Sequence, residues 1–310
     1  MIAQPGASLD LPPNQLRTFL TVARRLSFTR AAEELHLTQP AVSMHIRKLE
    51  RAIGATLFDQ IGRRVSLTGP GQVLYRYAER VLALEDELRA SLADLEEICQ
   101  GPFAIGTSTT IGISILPDLL RRFVAEHPQV TLHVRIGMGY EIVQGLLDGQ
   151  LDVGIMTGEV ADERIEAERL MDDELVLIVP PEHRWAQVPS IGPHDLIGEP
   201  LLMPGQNSWN RSRIARELAA HGVTPDVIAE SNSHIAIARI AEAGVGAAIV
   251  SRLAVRLEVA QGRLRQVVLR DVDLRRPIYL LMHRDKHRTP TMRAFGALVA
   301  TVSEYAATVA

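Results

Sequence analysis

The side chains with the clearest chemical potential fall into two sets. The first occupies residues 39–51, where Gln39, Ser43, Met44, Arg47, Lys48 and Arg51 are interleaved with apolar residues. At 100° per residue, Val42, Ile46, Leu49 and Ile53 share one stripe, while Pro40, Met44, Arg47 and Arg51 point the opposite way. Gln39, Ser43 and Lys48 flank that outer face. Such a face suits a DNA major groove, where glutamine pairs with base edges and arginine or lysine with guanine or phosphate. An ordinary amphipathic helix with a solvated outer face has the same pattern. Downstream, Gly62-Arg63-Arg64 lies between two short runs, 55–61 and 65–68. Read as a hairpin, it carries Arg63, with Arg64 beside it, along phosphates or into a minor groove. The plain alternative is a solvated turn.

The second set is a series of small polar residues. They are Thr107-Ser108-Thr109-Thr110, Gly137-Met138-Gly139, Gln206-Asn207-Ser208 and Ser231-Asn232-Ser233-His234. Hydroxyls and free backbone N–H groups at helix starts favour an anion, and glycine permits close backbone approach. Helix capping alone explains many such residues. Catalytic chemistry has little support: there is no nucleophile elbow and no phosphate-cradling glycine loop. His283 and His287 are four apart but span an expected strand end and loop, so no metal site is expected. Lone histidines such as His133 and His221 read as structural or solvated.

The elements that must position the first set are short helices. Leu16, Phe19, Leu20 and Ala23 recur at helical spacing over 13–25, with Pro13 in the first turn. Leu26-Ser27-Phe28-Thr29 breaks that pattern, and a second short helix turns Ala31, Ala32 and Leu35 inward. After His36-Leu37, Thr38 is the expected N-cap of a third helix over 39–53, with Pro40 in its first turn. A hairpin beside such a reading helix is a wing.

From Thr68-Gly69-Pro70-Gly71 onward, residues 72–98 contain neither Gly nor Pro. Tyr77, Val81, Leu84, Leu88, Leu92, Leu95 and Ile98 recur every three or four residues. A helix of that length extends about 40 Å, too long for so small a head, so its stripe is expected to meet a second copy. The alternative is a core helix of one larger domain. From Gly101, strands are expected near 102–107, 131–136, 152–156, 175–180, 200–203, 227–231, 247–250, 265–269 and 277–283. Helices are expected near 112–126, 139–149, 207–221, 233–243 and 290–306. Alternation of this kind predicts an α/β fold with parallel sheets covered by helices.

Composition bounds the rest. A chain of 310 residues suggests two or three compact units. Residues 1–68 carry nine Arg/Lys against five Asp/Glu, whereas the remainder carries 24 against 32. A basic head on an acidic body fits a polyanion-binding module joined to a part that avoids the polyanion. No apolar run approaches the roughly 20 residues of a membrane span. The N-terminus shows no secretory pattern, and the single cysteine, Cys99, excludes an intrachain disulfide. A cytoplasmic protein with no membrane association is expected. Cys99 reads as a passive small hydrophobe, with a redox role as the lesser alternative.

The stretch LRTFLTVARRLSFTRAAEELHLTQPAVSMHIRKLERAIGATLFDQIGRRVSLTGPG resembles the head of a LysR-type transcriptional regulator. Phe19, Ala31-Ala32, Leu35, Thr38 to Ser43, Ile46, Leu49-Glu50, Gly54, Leu57-Phe58, Arg64-Val65 and Leu67-Thr68 carry the likeness over more than 50 residues. Gln60 departs from the arginine usual there. Farther on, Leu116-Pro117, Phe123, His127-Pro128, Leu147 to Gly149, Leu151-Asp152, Gly154-Ile155 and Ala243-Gly244-Gly246 resemble the family's effector domain. The resemblance implies a winged helix-turn-helix over 1–68, a linker and dimerisation helix over 69–100, and a two-lobed, periplasmic-binding-protein-like effector domain over 101–310. Lobe one would be 101–172 with 277–310, and lobe two 173–276.

It also implies paired heads on double-stranded promoter DNA, in a homodimer or homotetramer that acts on RNA polymerase. Gln39, Pro40, Ser43 and Met44 would lie at the groove and Arg63 at the wing, with Thr38, Arg47, Lys48 and Arg64 completing the DNA-binding set. A small anionic metabolite would sit between the lobes against Thr107, Ser108, Thr109, Thr110, Gly137, Met138, Gln206, Asn207, Ser233 and His234. No cofactor is implied. The Ser108-Thr109-Thr110 start resembles the subgroup of carbon-fixation and sulfur-assimilation regulators. Peroxide-sensing members use a cysteine pair, which this chain lacks. An enzyme built on the α/β part, or an architectural DNA protein without effector, are the competing readings; the large two-lobed region argues against the second.

Overall fold

The computed structural model describes residues 10–61, 64–93, 98–206 and 208–301. It divides into two compact units, Met1–Glu97 with Leu147–Gln150, and Ile98–Leu146 with Leu151–Ala310.

The first unit begins with helices α1 (Pro13–Arg25), α2 (Phe28–Glu34) and α3 (Gln39–Ile53). Side-chain caps start the second and third: Ser27 accepts from the Arg30 N–H and Thr38 from the Ala41 N–H. α3 ends at Gly54, whose φ of 75° lies in the left-handed region that glycine adopts without strain. Leu16, Phe19, Val22, Ala31, Val42, Ile46 and Leu49 close one core, which Leu57 and the Phe58 ring extend. Strands β1 (Phe58–Ile61) and β2 (Arg64–Leu67) pair antiparallel, Phe58 opposite Leu67 and Ile61 opposite Arg64, as the expected hairpin requires.

Helix α4 (Gly69–Ala93) starts three residues before the expected position, because Gly69 and Pro70 occupy its first turn, where Pro costs nothing. The helix has two apolar faces. Leu74 and Ala78 turn into the head's core. Tyr77, Val81, Leu84 and Leu88 point outward, and Leu84 is 64% exposed. The side chain of Leu92, and all of Leu95, fall outside the described residues.

In the second unit, β3 (Gly101–Thr107), β4 (Val130–Ile136) and β5 (Val153–Thr157) lie parallel in one lobe. Helices α5 (Thr109–Ser114), α6 (Leu116–Glu126) and α7 (Gly139–Leu147) connect them, and α11 (Pro290–Ala300) packs on the same core. The other lobe holds β7 (Ser190–Ile191), β8 (Pro200–Pro204), β9 (Asp226–Ser231), β10 (Ala247–Ser251) and β11 (Arg265–Leu269), with α8 (Trp209–Ala219), α9 (His234–Glu242) and α10 (Arg252–Ala260). Both faces of this second sheet are covered, one by a core around Leu177, Leu201, Ile214 and Ile249, the other by Ile178, Ile237, Ala248 and Val250.

Two long strands join the lobes, β6 (Ile165–Val179) and β12 (Arg275–His283), in the order β4-β3-β5-β12-β6-β10-β8-β9. β6 pairs with β12 from Ile165 to Glu174, then with β10 from Leu175 to Ile178, antiparallel throughout. The sheet is therefore mixed, not purely parallel. The expected strand at 175–180 is the last third of a longer one, because residues 166–169 (Glu-Ala-Glu-Arg) are all exposed and carry no large apolar side chain to mark an alternation. The expected helix over 112–126 is two helices broken at Ile115. Pro117 in the first turn of α6 has no N–H to extend a bond back into α5. Helix α10 escapes a periodicity reading because it follows β10 with no Gly, Pro or polar run between them.

Candidate functional site

On α3 the buried side is Val42, Ile46 and Leu49. Gln39, Pro40, Met44, Arg47 and Lys48 are exposed and Ser43 is half-buried, all on the accessible side. The Gln39 amide donates to Ser43 Oγ at 3.4 Å. Thr38, exposed, is occupied as the N-cap. His45 fixes the attitude of α3 against α1. Thr18 spends its hydroxyl proton on the Asn14 carbonyl at 2.8 Å, so the 2.8 Å contact to His45 Nδ1 requires the imidazole to donate. Arg64 takes its place in β2 opposite Ile61; its side chain, and all of Gly62 and Arg63, fall outside the described residues.

In the second unit, the parallel strands of each lobe end at the edge where their helices begin: Thr107, Ile136 and Thr157 on one side, Pro204, Ser231 and Ser251 on the other. That edge is where open α/β sheets hold ligands. The two lobes meet there. A side chain on Gly158 would strike the Trp209 ring at 3.1 Å, and Ser114 Oγ donates to the Leu253 carbonyl at 3.0 Å.

The small polar residues differ in what their groups already do. Ser108 precedes α5 without making a cap bond, and both it and Thr109 are half-exposed. Thr110 is buried. Thr107 is fully buried and donates to the Ile155 carbonyl at 3.0 Å, which spends it on the sheet. The Met138 N–H donates to Glu141 Oε2 at 2.6 Å, so a carboxylate of the chain itself already sits over the Gly137-Met138 turn. Ser208 and Ser233 cap α8 and α9. Gln206 is exposed, and Asn207 lies outside the described residues.

His234 opens into a buried network that the motif reading did not anticipate. Its Nδ1 accepts from the Ser251 N–H at 3.2 Å, and its Nε2 lies 3.1 Å from the Asn210 amide. Asn210 accepts from Arg276 Nη1 at 2.5 Å. Arg276 Nε and Nη2 both donate to Asp173 Oδ2, at 2.9 and 2.6 Å, and Ser251 Oγ donates to the same oxygen at 2.6 Å. Arg276 Nη1 also reaches Thr157 at 3.5 Å. The Arg276 and Asp173 side chains are 2% and 1% exposed. They face each other directly across β12 and β6, one residue before β6 changes partner. Burial, with the nearby Arg276 charge adding to it, lowers the His234 imidazole to about 3, so the ring is neutral at physiological pH. One signal for this cluster exists in the sequence. Arg276 stands two and four residues before Ile278 and Leu280, and Asp173 two and four before Leu175 and Leu177, so period two places both on buried faces.

Among the described residues there is no group of three or more His, Cys, Asp or Glu that could hold a metal ion, and no helix long and apolar enough to cross a membrane.

Comparison with known proteins covers both units. The pattern described as "Bacterial regulatory helix-turn-helix protein, lysR family" matches residues 13–72, and "LysR substrate binding domain" matches residues 99–303. A "Probable RuBisCO transcriptional regulator" of Cyanophora paradoxa is 32% identical over 93% of this chain and 91% of its own length. A protein of the same name from Synechocystis is 31% identical over 91% of this chain and 84% of its own. Among solved structures, full-length CbnR complexed with its target DNA aligns with a TM-score of 0.72 at 22% identity, over 94% of this chain and 100% of that one. Full-length OxyR from Pseudomonas aeruginosa, solved as a single-substitution variant, aligns with a TM-score of 0.70 at 23% identity, over 94% and 95%.

Proposed function

The chain belongs to the LysR family of transcriptional regulators, and from that premise we propose how its parts divide the work. It is a DNA-binding regulator with an effector-binding domain, not an enzyme. In our reading, residues 1–68 bind promoter DNA, 69–100 pair two chains and 101–310 bind the effector. The observation that carries the DNA assignment is α3, whose one side fills the core while its other presents Gln39, Met44, Arg47 and Lys48 to solvent. Paired heads place two such helices in successive major grooves of a dyad-symmetric site. The outward row Tyr77, Val81, Leu84 and Leu88 on α4 supports the pairing, in a homodimer or a homotetramer.

The effector is a small anion held at the facing strand ends. Ser108 and Thr109 are the groups best placed to meet it, since neither makes a cap bond, with Thr110, Gln206 and Asn207 nearby. Thr107, Ser233 and His234 support the site from beneath, because their polar groups are engaged inside the fold. A filled cleft favours one arrangement of the lobes, and that preference changes the spacing of the heads, DNA bending and RNA polymerase recruitment. Promoter work places the protein in the cytoplasm. The name shared by the relatives makes promoters of carbon-fixation genes the first targets to assay.

Band-shift titrations of the full chain test the reading head. Gln39→Ala and Ser43→Ala should weaken specific binding by roughly 1–3 kcal/mol each, whereas Arg63→Ala should weaken all binding and lower its salt slope by about one. No loss in any of the three removes α3 and the wing from the interface. For the cleft, a thermal-shift screen with central-metabolism anions should give a hit that Thr109→Ala abolishes while DNA binding persists.

A further inference from the structure

Met44 is 46% exposed in the middle of a polar, cationic face. Gln39 and Pro40 precede it by about a turn, and Arg47 and Lys48 follow one turn later, all exposed. The head closes its core without it, since Val42, Ile46 and Leu49 are buried on the other side of α3. An apolar thioether thus stands where folding does not use it, ringed by groups that attract a polyanion. When phosphates engage those cations, the base edges of the major groove come against the same face. The apolar group displayed on that groove floor is the thymine C5-methyl.

We propose that Met44 reads a thymine methyl, a specificity contact that rests on the DNA-binding reading above. An arginine in its place would seek guanine O6 and N7, so the methionine selects thymine where a cation would select guanine. Gln39 supplies the register. Its amide donates one N–H to Ser43, leaving its carbonyl oxygen and second N–H for a base edge, the pair of groups that matches adenine. Met44 lies five residues farther along α3, about 7.5 Å of helix axis, or about two base-pair steps of 3.4 Å. The half-site therefore holds an adenine contacted by Gln39 and, about two steps away, a thymine whose methyl packs on Met44.

The test uses the full chain. A duplex is selected from a random pool, and each thymine of the selected half-site is then replaced by deoxyuridine, which removes the methyl and keeps the pairing. Wild-type protein should lose roughly three- to tenfold in affinity at one thymine. Met44→Ala should bind the parent duplex weaker by a similar factor and become indifferent to deoxyuridine at that position, while Met44→Leu keeps the discrimination. An unchanged melting curve for Met44→Ala, expected at an exposed site, excludes misfolding. The inference is overturned if wild-type protein tolerates deoxyuridine at every position, or if Met44→Ala retains the full penalty. Selection of no sequence at all fails the regulator reading itself, and this inference with it.

Discussion

Asp173→Ala would strand a guanidinium that the fold has sealed from water. In the native protein the Asp173 carboxylate takes four donors: Arg276 Nε, Arg276 Nη2 and Ser251 Oγ on one oxygen, and the Glu174 N–H on the other. The alanine variant leaves Arg276, 2% exposed, with Asn210 as its close remaining acceptor, beside a His234 ring that carries no negative charge to offset it. Breaking a buried pair from one side costs about 3–5 kcal/mol. Arg276→Met, which orphans the carboxylate instead, belongs in the same range. The double variant Asp173→Leu/Arg276→Met removes both charges together. It leaves Ser251 Oγ, the Glu174 N–H and the Asn210 carbonyl without these partners, about 1–3 kcal/mol for each that stays buried and unsatisfied, but strands no charge. The two substitutions should therefore be strongly non-additive. Both tryptophans, Trp185 and Trp209, lie in the second unit, so tryptophan-fluorescence melting reports that unit alone. For a unit of about 200 residues, 1 kcal/mol moves Tm by about 2–4 °C, which puts each single variant roughly 10 °C below wild type and the double variant well short of the roughly 20 °C loss that the two would sum to. A single variant melting within about 2 °C of wild type, or a double variant losing the sum of the two, would refute the view that this pair is a closed, mutually dependent unit.

Acid should find the same cluster. His234 is held at about 3, far below its ordinary 6.5, so between those values the unfolded chain binds a proton that the native ring does not. Its contribution is complete above about pH 6.5 and falls by about 1.4 kcal/mol per pH unit as pH drops toward 3. His234→Gln should flatten the stability–pH slope between pH 6 and 4.5 by about one proton, and equal slopes in denaturant titrations would contradict this. Leu84→Arg with Leu88→Arg on the exposed side of α4 should leave the head folded by circular dichroism and shift sedimentation toward the single chain; an unchanged sedimentation coefficient removes that row from the interface. Gly71→Ala would place a Cβ 2.1 Å from the Leu57 carbonyl oxygen, backbone that cannot move cheaply. It should destabilise the head by about 1–3 kcal/mol, and a proteolysis half-life of that unit equal to wild type would show the contact yields.

The head was legible because each device is local. A hydroxyl cap at Thr38, a stripe at Val42, Ile46 and Leu49, and a glycine stop at Gly54 lie within 17 residues. The effector domain was legible as alternating elements, but two of its features are not local. Residues 166–169 of β6 are exposed, so their strand character comes from pairing with β12, more than 100 residues away in sequence. Arg276 and Asp173 are 103 apart, and each sits among like-charged neighbours, Arg275 and the run Asp172-Asp173-Glu174. Composition cannot separate the buried member of such a run from the exposed ones; only strand alternation can. The hydroxyl-rich turns were visible at once. What each hydroxyl was already bonded to, as with Thr107 on the sheet and Ser233 on its own helix, depends on neighbours brought together by the fold.

The uninterrupted course of β6 has a mechanical consequence. Its hydrogen-bonded ladder passes from β12 at Glu174 to β10 at Leu175 without an intervening loop, and β12 runs beside it up to the same point. Two domains joined by loops swing like a door; two joined by continuous ribbons bend like a flexure, an element that deforms elastically and springs back. Adjacent strands already carry a fixed relative twist of roughly 10–35°, and bending at this joint must preserve that ladder of hydrogen bonds. The sealed Arg276–Asp173 pair lies at this joint, clamping β12 to β6 just before β6 changes partner.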